Sequence, residues 1–228
     1  MIKFNQKFDP THIKFIIFDL DGTLIDSRLD LVHSVNAMLR HFGRPELADE
    51  VVASYVGDGA SMLIQRALGD PADKALLKEG LDFFLTYYRA HKLDNTIAYA
   101  GIEGALRKIR NSNGTGRQMA VLTNKPVMPA RAIVRELGLN DFFVNVYGGN
   151  SFSTKKPDPL GVNTLLEETG HLADHTVIVG DSSVDVVTGR NAGIRTCGVK
   201  YGFAPESLIT APPDVEIDDA EELAEIFA

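Results

Sequence analysis

Cysteine is almost missing from this chain. Cys197 stands alone among 228 residues, which excludes an intrachain disulfide. No cationic pattern beside it would activate a thiolate, so it reads as a buried strand residue. Positive charge is also short: 23 Lys and Arg face 31 Asp and Glu, for a net charge of −8. No basic block interrupts that excess, so the electrostatic footprint of a nucleic-acid binder is absent. Long apolar runs are lacking too, both at the start of the chain, where residues 1–12 show no apolar leader, and elsewhere, so a membrane span is not expected. There is no internal repeat and no low-complexity segment. His12, His33, His41, His91, His171 and His175 are scattered without ligand spacing. An acidic, cytoplasmic, globular protein is expected, and its 44% apolar content supplies a sizeable core.

The apolar pattern divides the chain. Phe15-Ile16-Ile17-Phe18 is apolar on consecutive positions, as in a parallel strand buried on both faces. Helical spacing then takes over, predicting helices over 29–42, 46–55, 60–68 and 72–90 without a strand between them, followed by a connector over 94–100. Phe83, Phe84, Tyr87 and Tyr88 read as packing inside this block. From 101 onward helices (101–111, 127–137, 159–169, 183–192, 221–227) alternate with strands (119–122, 144–147, 176–179, 196–199, 215–217), and residues 113–116 form a turn. This predicts an α/β fold: a doubly wound, mostly parallel, Rossmann-like sheet core formed by 1–27 and 98–228, with an all-helical insertion over 28–97.

In such sheets ligands gather at the carboxyl ends of the strands, and three predicted strands deliver polar groups there. Asp19 and Asp21 follow the first strand and project to one side, with Gly22 turning the chain behind them. Thr123 and Asn124 follow the second, where they serve equally well as helix caps or as donors to phosphoryl oxygens. Asp181 ends the fourth, and Asp185 falls in the first turn of the next helix, a position that the helix dipole alone would favour. Lys155 and Lys156 sit on a loop stiffened by Pro157 and Pro159. Two carboxylates about 4 Å apart repel by about 4 kcal/mol at an effective dielectric near 20, so this acidic edge needs a cation before it can accept phosphate. An all-oxygen set of Asp19, Asp21, Asp181 and Asp185, without His or Cys, suits Mg²⁺.

Asp19-Leu20-Asp21-Gly22-Thr23, Leu122-Thr123-Asn124, Lys156-Pro157 and Gly180-Asp181-Ser182-Ser183-Val184-Asp185, in this order, resemble the four motifs of the haloacid dehalogenase superfamily of phosphohydrolases. The match spans nearly the whole chain. The helical insertion looks like the small cap of members acting on small molecules. Tyr55-Val56-Gly57-Asp58-Gly59-Ala60, Gln65-Arg66-Ala67-Leu68 and the Lys155–Pro159 stretch are most similar to bacterial phosphoglycolate phosphatases. The resemblance implies Mg²⁺-dependent hydrolysis of a small phosphorylated metabolite, best matched by 2-phosphoglycolate. Asp19 is then the nucleophile that becomes an aspartyl phosphate, and Asp21 is the acid and base, helped if negative neighbours favour its protonated form. Thr123, Asn124 and Lys156 hold the transferring oxygens. Asp19, the Asp21 backbone carbonyl and Asp181 are the implied metal ligands, with Asp185 in support. Arg66 is a candidate for a substrate carboxylate, against the plain alternative of a solvated helix arginine.

Three other readings share parts of this pattern: a phosphomutase, a sugar-phosphate or nucleotide phosphatase of the same superfamily, and a phospho-acceptor signalling module without turnover. The seventy-residue insertion argues against the last, which needs no lid.

Overall fold

The computed structural model describes residues 1–6, 9–112 and 116–228, so most of the turn expected at 113–116 lies outside the described residues. In chain order the elements are β1 (Lys3–Phe4), β2 (Phe15–Phe18), β3 (Ile25–Asp26), α1 (Arg28–His41), α2 (Asp49–Ser54), α3 (Ala60–Ala67), α4 (Lys74–His91) and β4 (Ile97–Ala98). They continue with α5 (Ile102–Asn111), β5 (Gln118–Leu122), α6 (Val127–Glu136), β6 (Val146–Tyr147), α7 (Leu160–Thr169), β7 (Thr176–Gly180) and α8 (Ser183–Asn191). The chain closes with β8 (Arg195–Val199), α9 (Ser207–Thr210), β9 (Val215–Ile217) and α10 (Glu222–Phe227).

Seven strands form one sheet in the order β1-β9-β8-β7-β2-β5-β6. All neighbours run parallel except the β1–β9 pair at one edge. β2 sits near the middle, with Phe18 opposite Val179 on one side and Val121 on the other. All four of its residues are buried because alternate side chains enter different cores. Ile16 and Phe18 join the cluster that includes Ile109, Ile133 and Phe227, while Phe15 and Ile17 pack with Val162 and Leu165 of α7. Helices therefore cover both faces, as the uninterrupted apolar strand predicts.

The helices α1–α4 pack mainly on one another through α1–α4, α1–α2 and α3–α4 contacts. They leave the sheet domain after β3 and return at β4, and these two short strands pair antiparallel, Ile25 with Ala98 and Asp26 with Ile97. Part of the predicted connector is therefore a strand. Two-residue strands are too short for an alternation signal, and only the pairing defines them. At the base of this ribbon, Asp30 is buried and accepts from the backbone N–H groups of Asn95 and Thr96 and from both their side chains, at 2.7–3.1 Å.

Other departures are local. The helix expected over 46–55 starts only at Asp49, because the Asn36 amide donates to the Leu47 carbonyl and accepts from its N–H, both at 3.0 Å, and holds that residue out of the helix. The strand expected over 144–147 is reduced to Val146–Tyr147, although Val144 N–H still donates to Met119 O and Asn145 O still accepts from Val121 N–H. β1 carries no apolar alternation, and its antiparallel partner alone defines it. Among the described residues no helix is long and apolar enough to cross a membrane.

Candidate active site

Three parallel strands, β5, β2 and β7, end side by side, which brings Thr123, Asp19 and Asp181 to one edge. Asp19 continues the β2 ladder by donating its N–H to Val179 O. The chain then tightens: the Leu20 carbonyl accepts from the N–H groups of Thr23, Leu24 and Ile25, and Gly22 turns with φ +78°. A side chain at Gly22 would also place its Cβ 2.3 Å from Asp181 Oδ2. Only glycine satisfies both the backbone angle and this approach.

Lys156 is the centre of the acidic cluster. Its Nζ lies 2.6 Å from Asp185 Oδ1 and 3.0 Å from Asp19 Oδ1, and all three side chains are buried. Burial opposes its charge, but Asp185 and Asp19 more than offset this and hold it protonated. Asp185 spends its other oxygen on Ser182, whose N–H and hydroxyl both donate to it as a capping box at the start of α8. With both oxygens engaged, Asp185 orients Lys156. Asp181 Oδ2 accepts from the N–H groups of Phe203 and Ala204.

One oxygen each of Asp19, Asp181 and Asp185 fall within 4.8 Å of one another. This set is undercompensated. Burial raises the Asp19 carboxyl to about 6 despite Lys156, and burial together with the charges of Asp185 and Asp19 raises Asp181 to about 8. Three buried carboxylates against one ammonium, all offering oxygen, fit a hard divalent cation such as Mg²⁺.

Asp21 has different company. Its carboxylate accepts two bonds from Lys125 Nζ, at 2.9 and 3.0 Å, and one from the Ser27 hydroxyl. Burial opposes the charge of Lys125, and Asp21 restores it. The condition that negative neighbours surround Asp21 is not met, because it faces a buried cation. Lys125 is a candidate-site residue that sequence reasoning missed. Its one signal was its place directly after Thr123 and Asn124 at a strand end already marked as functional.

The other predicted residues divide. Thr123 is buried, with Oγ1 accepting from Lys125 N–H. The Asn124 side chain donates to Gly57 O at 2.9 Å and to Lys156 O at 3.0 Å, so its amide protons fasten loops together in place of facing the cavity, while Oδ1 is buried without a partner. The Arg66 guanidinium pairs with Asp58 and donates to Tyr55 O, outside the lining of this cavity. Lys155 reaches the Asp58 carbonyl. Tyr88, read from sequence as packing, lines the cavity together with Asp19, Asp21, Lys125 and Asp181.

A family model described as haloacid dehalogenase-like hydrolase matches residues 16–199. The chain belongs to this family. Within it, the chain is 36% identical over 220 residues to a phosphoglycolate phosphatase of Chromobacterium violaceum, covering 95% of this chain and 97% of that one. It is also 36% identical over 230 residues to a phosphoglycolate phosphatase of Pseudomonas putida, covering 98% and 83%. The crystal structure of a predicted phosphoglycolate phosphatase from Haemophilus somnus superposes with a TM-score of 0.88 at 28% identity, over 95% of this chain and 99% of that one. The acidic edge built from β2, β5 and β7 is the candidate site of this family member.

Proposed function

We propose that this hydrolase is a Mg²⁺-dependent phosphomonoesterase acting on 2-phosphoglycolate through a phosphorylated Asp19. The observation that carries the reading is Lys156 bridging Asp19 and Asp185, with Asp19 and Asp181 lining one cavity together with the Asp21–Lys125 pair. The names of the curated relatives support the substrate.

An oxygen of Asp19 attacks phosphorus while the bond to the leaving alkoxide breaks. Asp21 gives that alkoxide its proton, and Lys125 and Ser27 receive the carboxylate left behind. In the second half, Asp21 takes a proton from water, the resulting hydroxide attacks phosphorus, and the bond to Asp19 breaks to release phosphate. Lys156 and the Thr123 hydroxyl meet the transferring oxygens, and Asp185 keeps Lys156 in place. Asp19, Asp181 and the Asp21 carbonyl would hold the metal, which when bound supplies charge neutralisation for the incoming phosphate. Helices α1–α4 act as the cap over 28–97, with the loop at Gly57-Asp58-Gly59 fastened to the core by Asn124 and Lys155.

Phosphate release measured over a panel of phosphorylated metabolites, with and without chelator, tests this. Preference for 2-phosphoglycolate, lost on chelation and restored by Mg²⁺, is expected. Turnover that survives full chelation would overturn the metal assignment, and absence of release from every ester would overturn the function.

A further inference from the structure

The buried stripe of α4 starts inside the inserted helices and ends over the sheet. Gly80, Phe84 and Tyr88 are its buried residues, spaced by four and therefore on one face. A Cβ at Gly80 would meet Leu68 and Ile64, within the helical insertion. Phe84 and Tyr88, with rings stacked at 5.6 Å, line the cavity instead. Tyr88 is 2% exposed, and its ring meets a residue of the sheet domain: Lys125 Nζ lies over it, 4.6 Å from the centroid.

The backbone of Lys125 is fixed by the sheet domain, where its N–H donates to Thr123 Oγ1 and its carbonyl accepts from Gly149 N–H. That does not place the ammonium, because a flexible four-carbon stem separates the two. Contacts at the tip must do so. Two of the three ammonium protons go to Asp21, at 2.9 and 3.0 Å, and the third is left for Tyr88. An aromatic face attracts a cation through its quadrupole, and more strongly where water is excluded. An aliphatic side chain would continue the apolar stripe but offer no such face. The ammonium is therefore held between a carboxylate of the sheet domain and a ring of the inserted helices.

We propose that Tyr88 is a positioning residue whose ring face holds the Lys125 ammonium against Asp21, so that the acid–base carboxyl is fully aligned only with α4 seated on the sheet domain. This rests on the phosphomonoesterase reading, in which Asp21 is the acid and base. It makes proton transfer depend on a contact between the inserted helices and the sheet domain, and it separates the role of Tyr88 from substrate affinity.

Steady-state kinetics with p-nitrophenyl phosphate on a double-mutant cycle tests this, with circular dichroism as the fold control. Tyr88→Leu and Tyr88→Met both remove the ring and keep an apolar stem, so the comparison survives if one of them fails to fold. Either is expected to lower kcat by about 10-fold with KM within about 2-fold, and Tyr88→Phe, which keeps the ring, to recover most of that loss. In a Lys125→Met background the same replacement of Tyr88 is expected to cost less than about 2-fold. An unchanged kcat, a loss confined to KM, an equal loss in both backgrounds, or a Tyr88→Phe variant as slow as the aliphatic ones would overturn the proposal. A wild-type protein that releases no phosphate from the ester, or an Asp21→Asn variant with wild-type kcat, would instead overturn the phosphomonoesterase reading.

Discussion

Lys125 Nζ grips both carboxylate oxygens of Asp21, at 2.9 and 3.0 Å, with both side chains largely shielded from solvent. The pair joins the ends of β2 and β5, and it sets the direction of the carboxyl proposed to protonate the leaving oxygen.

Replacing Lys125 by Met removes that grip while keeping the volume of the stem. We expect kcat to fall by about 10²-fold with p-nitrophenyl phosphate, and Lys125→Arg to recover part of it. Steady-state kinetics with circular dichroism as a fold control measures this. A Met variant with unimpaired kcat would remove Lys125 from the proton-handling machinery.

Asp19→Asn removes the proposed nucleophile but not the shape. Turnover should fall by about 10⁴-fold or more. Lys156 keeps Asp185 as its partner at 2.6 Å, and the buried charge of Asp19 was itself opposed by burial, so thermal stability without metal should hold or rise. Activity assays and thermal melts on the same preparation check both parts.

The cluster also predicts a pH effect on stability. Asp19 and Asp181 are raised to about 6 and about 8 from an ordinary value of 3.8. In the folded state these carboxyls hold protons that the unfolded chain has already lost. Their contribution is therefore fully present below about pH 4 and is lost as pH rises through 6 and then 8. Metal-free Tm should fall across that window. Added Mg²⁺, which needs the ionised carboxylates, should raise Tm more near pH 8.5 than near pH 5.5. Melts at the two pH values, with and without MgCl₂, decide it; an equal or opposite Mg²⁺ shift would contradict the assignment.

Asp30 gives a structural test. Its carboxylate takes bonds from Asn95 and Thr96 through both backbone and side chain, and it is 1% exposed. Asp30→Ala would strand those donors and should cost about 3 kcal/mol or more in urea unfolding. The midpoint should move while the slope stays constant. A change below about 1 kcal/mol would show that water replaces the carboxylate.

Much of the site was legible before any tertiary contact was known, because its residues sit where a buried apolar run stops. Phe15 to Phe18 is uninterrupted, so the strand had to be central. The carboxylate, hydroxyl and amide groups that end such strands had to meet at one edge. Lys156 was legible because prolines isolate it. The pairing of Arg66 with Asp58, eight residues earlier in the chain, was not legible, because no local pattern distinguishes an arginine that meets a ligand from one that meets a nearby carboxylate.

The sequence alone therefore determined the class of the fold and the chemical groups at the strand ends, since apolar periodicity and strand termination are local properties. Tertiary structure alone decided who faces whom: Lys125 against Asp21, Asn124 against Gly57 and Lys156, Asp30 against Asn95 and Thr96, and Tyr88 into the cavity. Each of these pairings joins segments far apart in the chain. Their energies depend on distance and burial, which chain position does not specify.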